Sequence, residues 1–179
     1  MRKYLLESLI FMRKTLSITV YNESGVLTRI STVFSSRGFN IDSIAVGPTE
    51  NVGISKIIIV LPGDYQTIEQ ITKQLNKLIQ VIQVKDITTC PCVERELMLI
   101  KIKSSPGTRS EILEIAEVFR SRIVDLSENS ITIEVTGDPG KIITIHQLLK
   151  NYNIIEIVRT GKISIERELG INTEYLKSV

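Results

Sequence analysis

The segment that decides the fold is "KTLSITVYNESGVLTRISTVF", residues 14–34. Its first part alternates apolar and polar side chains, which is the two-residue period of a strand with one buried face. The apolar members of this strand are Leu16, Ile18 and Val20. After Gly25 the apolar period becomes that of an amphipathic helix. The apolar stripe of this helix is Leu27, Ile30, Val33 and Phe34. The sequence therefore predicts a strand, a tight turn and a helix.

The same reasoning extends this unit to residue 87. Strands are predicted at 41–46, 54–61 and 81–87, and Gly38 is expected to end the first helix. A second helix follows the "PGD" cap, with an apolar stripe of Ile68, Ile71, Leu75 and Leu78. The order βαββαβ is that of a ferredoxin-like domain, with strand order 4-1-3-2. The second and fourth strands are therefore expected at the edges of the sheet.

That order recurs in the second half of the chain. The predicted elements there are strands at 96–103, 123–126, 130–136 and 154–159, a turn and helix within 105–119, and a helix at about 141–150. The predicted fold class is thus α+β, with two tandem ferredoxin-like βαββαβ domains. The predicted divisions of the chain are an N-terminal extension (1–13), a first domain (14–89), a linker (90–95) and a second domain with a tail (96–179).

Composition excludes several classes of function. A net charge of +2 over 179 residues is too small to indicate a nucleic-acid or membrane partner. No apolar run approaches the roughly 18 residues of a membrane span. Cys90 and Cys92 are expected to be reduced thiols, and together with His146 they fall short of the four ligands of a structural zinc site. We therefore predict no metal site.

The sequence also lacks the groupings that catalysis requires. His146 is the only histidine, and we expect it on the surface or at the edge of a helix. No P-loop and no dinucleotide-binding glycine motif occurs. RNA-recognition domains of this topology stack bases on aromatic side chains, but the predicted third strand, "ISKIIIVL", has none. The chain is therefore predicted not to be an enzyme, and small-molecule recognition and protein contact remain.

The turn between the first strand and the first helix is the candidate ligand site. A helix start presents free backbone N–H groups and the positive end of the helix dipole. Gly25 lets a ligand approach the backbone, and Asn22 offers a side-chain amide. We expect Asn40, just before the second strand, to bring another amide nearby. The alternative is that Asn22 and Ser24 only cap the helix and that Asn40 only forms a turn.

The predicted second strand is a candidate contact with another chain. Its sequence, "IDSIAV", contains no Lys or Pro that would discourage pairing with a further strand. A domain of about 75 residues is also marginally stable by itself, because it hides less of its surface than a larger one. We therefore predict a symmetric homodimer formed through the first domains.

Four separate motifs carry a resemblance to a known family. They are "NESGVL" (22–27), "FSSRGFNIDSIAVGPTE" (34–50), "TIEQITKQLNKLI" (67–79) and "VERELMLIKI" (93–102). In this order they resemble the regulatory (small) subunit of acetohydroxyacid synthase, also called acetolactate synthase, from residue 12 to about 165. The resemblance implies that the first domain is an ACT domain, a ligand-sensing form of the ferredoxin-like fold.

The resemblance also implies a function. Such a chain binds and activates a catalytic subunit and confers feedback inhibition by valine in branched-chain amino acid biosynthesis. Valine would bind between two ACT domains. The residues carried over are Asn22, Gly25, Val26 and Leu27 of one protomer with Asn40 and Ile41 of the other. The resemblance places thiamine diphosphate, magnesium and FAD in the catalytic partner, and no cofactor in this chain.

Two questions stay open from the sequence. The chain could instead be a free-standing ACT-type amino-acid sensor that regulates another enzyme. Free thiols and the lack of a signal sequence predict the bacterial cytoplasm, while a composition rich in Ile, Lys and Asn would also suit the plastid stroma.

Overall fold

The computed structural model describes residues 13–168. The predicted N-terminal extension lies outside this range except for Arg13, and so does the part of the predicted tail beyond residue 168. The chain divides into two compact units. Of the described residues, the first unit contains 13–93 and 164–168, and the second is Glu94–Ile163. No helix in the described range is long and apolar enough to cross a membrane.

The first unit has the predicted βαββαβ order. Its elements are β1 (Arg13–Tyr21), α1 (Val26–Ser35), β2 (Ser43–Pro48), β3 (Ile54–Pro62), α2 (Tyr65–Leu75) and β4 (Val81–Asp86). The sheet order is β2-β3-β1-β4, and each neighbouring pair is antiparallel. The predicted strand order and the two predicted edge strands are therefore confirmed.

The core of the first unit follows from the two periodicities in the sequence. Alternate residues of β1 and β3 face the helices, and every fourth residue of α1 faces the sheet. The buried side chains of this core are Leu16, Ile18, Val20, Val26, Ile30, Phe34, Ile57, Ile59, Leu61, Ile68, Ile71 and Leu75. Gly38 has a left-handed φ of 70° just after α1, as expected for a residue that ends a helix.

One residue of the predicted α1 stripe points elsewhere. Leu27 is 42% exposed, whereas Val26 is buried with Ile30 and Phe34. These three buried residues are spaced four apart, close to the 3.6 residues of one helical turn. The helix therefore turns Val26 inwards at its start, and Leu27 lies at the side of the stripe.

The second unit repeats the architecture. Its sheet has the order β6-β7-β5-β8, and β9 also pairs with β5. The elements are β5 (Cys92–Lys103), α3 (Pro106–Val118), β6 (Arg122–Leu126), β7 (Ser130–Gly137), α4 (Pro139–Leu149) and β8 (Ile154–Arg159). The last described strand is β9 (Ile163–Glu166), most of which belongs to the first unit. The fold class, α+β with two tandem ferredoxin-like domains, is confirmed.

The structure differs from the prediction where the two halves of the sequence meet. β5 begins at Cys92, so part of the predicted linker (90–95) is strand. The reason is β9, which was not predicted and which gives the start of β5 a pairing partner. β2 has the predicted length of six residues but lies two residues further along the chain, at Ser43–Pro48 instead of 41–46.

The C-terminal boundary also differs from the predicted second domain, 96–179. Residues 164–168 group with the first unit. Two contacts within that unit account for the part described: Lys85 Nζ lies 3.1 Å from Glu166 Oε1, and the Arg167 N–H donates to the Pro91 carbonyl at 2.9 Å. The described end of the chain is therefore part of the first unit.

Candidate ligand-binding site

The turn between β1 and α1 is held by backbone hydrogen bonds on both sides. The N–H of Tyr21 donates to the Gln80 carbonyl at 2.9 Å, and the N–H of Asn22 donates to the Gly53 carbonyl at 2.8 Å. Gly25 then takes a left-handed φ of 80°, where a side chain would strain the backbone. The polypeptide is thereby fixed in position where α1 begins.

The start of α1 has no side-chain cap. Its N-cap residue is Gly25, and no side chain forms a capping hydrogen bond at the start of this helix. The alternative that Asn22 and Ser24 cap the helix is therefore wrong. The left-handed glycine occupies the position at which an extended Ser, Asp or Asn would place its oxygen over the helix start.

The other three helices of the described range are capped. The Asp64 carboxylate accepts from the Thr67 N–H at 2.8 Å, and the Asp138 carboxylate accepts from the Lys141 N–H at 3.1 Å. Ser105 and Thr108 form a capping box at the start of α3. The uncapped start therefore distinguishes α1 from α2, α3 and α4.

Backbone donors remain available at the uncapped start. The backbone N–H of Val26 donates to the Glu23 carbonyl at 3.3 Å, and the backbone N–H of Arg29 donates to the Gly25 carbonyl at 3.1 Å. The N–H groups of Gly25, Leu27 and Thr28 have no acceptor among residues 13–168. Since the helix dipole also places its positive end here, the turn suits a carboxylate.

The six predicted site residues differ in exposure. Asn22, Gly25, Leu27 and Asn40 are exposed, Ile41 is half-buried, and Val26 is buried in the core. The side-chain amides of Asn22 and Asn40 make no hydrogen bond to any residue that the structure describes. Val26 therefore anchors the turn, whereas the others leave polar or apolar groups accessible.

The structure does not bring the two asparagines together within one chain. Tyr21 pairs with Ile54 at the start of β3, whereas the Asp42 N–H bonds to the Val60 carbonyl near its end. At about 3.3 Å per residue, these points on β3 are about 20 Å apart. The expectation that Asn40 lies near the turn is therefore wrong for a single chain, because β1 and β2 run in the same direction and their opposite ends are involved.

The corresponding turn in the second unit is closed by its own side chains. Arg109 reaches back from α3, and its guanidinium donates to the carbonyls of Ser127 and Glu128 at 2.9 and 2.6 Å. It also donates to Ser104 Oγ at 3.3 Å. The start of α3 also has a capping box, whereas the start of α1 has no side-chain cap, so the first unit holds the better candidate ligand site.

The edge strand β2 lies exposed beside this site. Ile44 and Val46 pair with Ile59 and Ile57 of β3, yet both remain exposed because they lie at the margin of the sheet. The predicted segment, 41–46, has no Lys or Pro, but the observed strand ends in Pro48, and its exposed pair of apolar side chains was not predicted. These two accessible apolar side chains make the edge suited to contact with another chain.

Sequence reasoning missed Gly53, which accepts the hydrogen bond from Asn22 and has a φ of 80°. The only signal was a glycine at the end of the polar turn 47–53. Elsewhere, the described residues contain no group of three or more His, Cys, Asp or Glu side chains that could hold a metal ion. Cys90 and Cys92 are free thiols, and burial raises the pKa of Cys90.

Comparisons with known proteins agree in both halves of the chain. Residues 16–83 match the family model described as the AHAS small subunit-like ACT domain, and residues 95–168 match the model for the small subunit of acetolactate synthase. The chain is also similar to a solved structure, the acetolactate synthase small subunit of Thermotoga maritima. The TM-score is 0.80 at 39% identity, and the match covers 88% of this chain and 99% of that one.

Curated relatives give the same result. The chain is 47% identical over 156 residues to the probable acetolactate synthase small subunit of Archaeoglobus fulgidus, covering 87% of this chain and 98% of the relative. It is 48% identical over 157 residues to the Bacillus subtilis small subunit, covering 87% and 91%. It is 49% identical to the chloroplastic small subunit 2 of Arabidopsis thaliana over 87% of this chain, but it spans only 32% of that longer protein.

Proposed function

Because this chain belongs to the family of acetolactate synthase small subunits, we propose that it binds and activates the catalytic subunit and makes it sensitive to inhibition by valine. It is a regulatory subunit, and the large subunit carries catalysis. The observation that supports valine as effector is the uncapped start of α1, with its free N–H groups. Thiamine diphosphate, magnesium and FAD are expected in the catalytic partner.

The α-carboxylate of valine would accept hydrogen bonds at the start of α1. The backbone N–H groups of Gly25 and Leu27 are the proposed donors. The helix dipole adds about 0.3 to 1 kcal/mol to such an interaction, and ~2 kcal/mol where the geometry is partly buried. Because Gly25 has no side chain, the carboxylate reaches the backbone without obstruction.

A two-fold pairing of β2 edges would complete the site. Pro48 at the end of β2 pairs with Ser55, so it lies at the same end of the sheet as the β1–α1 turn. Antiparallel pairing of two β2 strands sets the start of one beside the end of the other. The 20 Å separation within one chain therefore supports a site in which Asn22 of one protomer meets Asn40 of its partner.

The remaining groups of valine have suitable partners in this arrangement. The ammonium group needs acceptors, which the Asn22 amide and the main-chain carbonyl near Asn40 would supply. Leu27 and Ile41 would contact the isopropyl group, while Val26 holds the turn against the core. One methylene changes affinity by only about 1 to 3 kcal/mol, so leucine and isoleucine should also bind, more weakly.

A ligand shared by two protomers couples its binding to their arrangement. We propose that this coupling reaches the catalytic subunit, with a free energy in the usual range of about 1 to 3 kcal/mol. The chain's compartment remains a prediction, since its relatives include a chloroplastic protein and a bacterial one.

Reconstitution tests the proposal directly. The purified chain is mixed with the cognate catalytic subunit, and the rate of acetolactate formation is measured with and without valine. We expect a higher rate that valine lowers. If neither the rate nor its valine sensitivity changes, the proposed function is wrong.

A mixing experiment tests whether the site is shared between protomers. Asn22→Ala and Asn40→Ala should each lose valine affinity, by about 5- to 150-fold for the loss of a buried hydrogen bond. After subunit exchange, a mixed dimer has one site with both asparagines intact and one with neither. Calorimetry of the mixture should therefore recover a fraction of sites with wild-type affinity, and no recovery would contradict the shared site.

The alternative is a free-standing amino-acid sensor, which the same uncapped turn would also serve. Valine binding without any effect on the catalytic subunit, together with copurification of a different enzyme, would favour it.

A further inference from the structure

The edge strand β6 of the second unit is unusually exposed. All five of its residues are accessible, and the apolar ones are the most notable: Ile123 is 44% exposed, Val124 50% and Leu126 55%. Within the described chain, β6 pairs only with β7, so its outer backbone groups have no strand partner. An edge with these properties is a template for pairing with another strand.

The charges of this strand are self-complementary. Arg122 and Asp125 are the charged residues of "RIVDL". In an antiparallel pair of two copies that opposes Ile123 to Val124, Arg122 of each copy lies opposite Asp125 of the other. Opposite charges facing each other across two strands are stabilising, whereas like charges are destabilising. Because the two copies are related by a two-fold axis, the pair of Arg122 with Asp125 forms twice.

A bulge in β6 places both charges on one face. Arg122 pairs with Glu134 and Asp125 with Thr132, and the register shifts between them at Val124. Glu134 and Thr132 both lie on the face of β7 opposite the buried Ile131 and Ile133. Without the extra residue, Arg122 and Asp125 would point to opposite faces of the sheet, and they could not pair across a two-fold axis.

We propose that β6 is a homotypic interface, which pairs antiparallel with β6 of a second copy of this chain. Bulges and charges on an edge usually discourage pairing with an arbitrary strand. Here they select a copy of the same strand, because only that copy brings an aspartate opposite each arginine. A pair of five-residue strands buries less than the about 800 Å² per partner of a stable interface, so we expect this contact to be weak by itself.

Disulfide trapping tests the pairing in the full-length chain. Cys90 and Cys92 are first replaced by serine, and Arg122→Cys and Asp125→Cys are prepared separately. Directly opposed residues in antiparallel strands have Cα atoms about 4.5 to 5.5 Å apart, within the range of a disulfide. Mixing the two variants in a glutathione buffer should give a linked heterodimer. Neither variant by itself should give a linked homodimer. In this register the two copies of residue 122 would be about 10 Å apart, and so would the two copies of residue 125.

The matched control mixes Arg122→Cys with Glu156→Cys, an exposed position on β8 at the other edge of the same sheet. A yield of linked heterodimer no higher than this control would overturn the proposal.

Charge exchange gives a second test without cysteines. Arg122→Asp and Asp125→Arg should each weaken self-association about tenfold, because each replaces two favourable pairs with two repulsive ones. Their equimolar mixture restores both opposite-charge pairs and should recover the sedimentation coefficient of the wild type at the same concentration. Failure of the mixture to recover would also overturn the proposal. Valine affinity, measured on the same samples, reports separately on the site in the first domain.

Discussion

The backbone N–H of Asn22 donates a 2.8 Å hydrogen bond to the carbonyl of Gly53. This bond joins the β1–α1 turn to the turn that connects β2 with β3. Gly53 has a φ of 80°, a conformation that residues with a side chain rarely adopt. The position of the proposed valine-binding turn therefore depends on a glycine elsewhere in the chain.

Substitution of that glycine should affect both stability and ligand binding. Gly53→Ala has room for its Cβ, with nothing within 4 Å, so the expected cost of about 1 kcal/mol comes from the left-handed backbone alone. Denaturant unfolding should show this loss, and calorimetry should show weaker valine binding. Gly47→Ala is the control, since its Cβ also has open space and its φ lies outside the left-handed region. Equal effects of the two substitutions would contradict the argument.

Gly25→Asp should abolish valine inhibition while it preserves activation of the catalytic subunit. A carboxylate at this position would lie beside the free N–H groups of the helix start and repel the carboxylate of valine. Gly25→Asn is the matched control, because asparagine has nearly the same shape, tolerates the left-handed conformation and carries no charge. The Asn variant should keep much of the affinity that the Asp variant loses. Unchanged valine affinity in Gly25→Asp, measured by calorimetry, would refute the site.

The sequence predicted those elements whose periodicity was local and strong. β1, β3 and the helices were identified because their core residues recur at two- or four-residue spacing, as Leu16, Ile18 and Val20 do. β9 was missed, because its four residues are too few to show a period and its partner lies far away in the chain. A strand of this kind forms through long-range pairing, which local patterns do not reveal.

The candidate site was only partly predictable for a related reason. The chemistry of Asn22 and Gly25 can be inferred from residue types at a helix start. The separation of Asn22 from Asn40 depends on strand direction and register, which pair Tyr21 with Ile54 and leave Asn40 at the far end of β3. The exposure of Leu27 depends on which residue of α1 is the first to face the core. Because the sequence does not fix a helix start to the residue, Leu27 was predicted in the position that Val26 occupies.

The ion pair between Glu96 and Arg159 should stabilise the second unit. The Glu96 side chain is only 5% exposed, and the guanidinium of Arg159 donates to both of its carboxylate oxygens, at 2.6 and 2.8 Å. Arg159→Met would leave a buried carboxylate without its partner. Loss of one member of a buried pair costs about 3 to 5 kcal/mol, and we expect less, about 2 kcal/mol, because Arg159 is 42% exposed.

A double substitution separates the unpaired charge from the lost packing. Glu96→Gln combined with Arg159→Met removes the buried charge as well as its partner, so the double variant should be more stable than Arg159→Met alone. Urea unfolding of the wild type, both single variants and the double variant gives the coupling energy. A double variant no more stable than the arginine variant would show that charge burial is not the cause.

The cap of α4 should make the stability of the second unit depend on pH. The hydrogen bond from the Lys141 N–H lowers the pKa of Asp138 below its ordinary value of 3.8 in the folded state. Its contribution is therefore fully present above pH 3.8 and is lost as the pH falls through the lowered folded value. Asp138→Ala should reduce the free energy of unfolding by about 1 kcal/mol at neutral pH.

Asp138→Asn is the control, and it should keep most of the capping energy but not its pH dependence, because an amide caps a helix without titrating. Urea unfolding of the three proteins between pH 7 and pH 3 tests this, and an Asn variant that loses stability with acid as steeply as the wild type would contradict the role of Asp138.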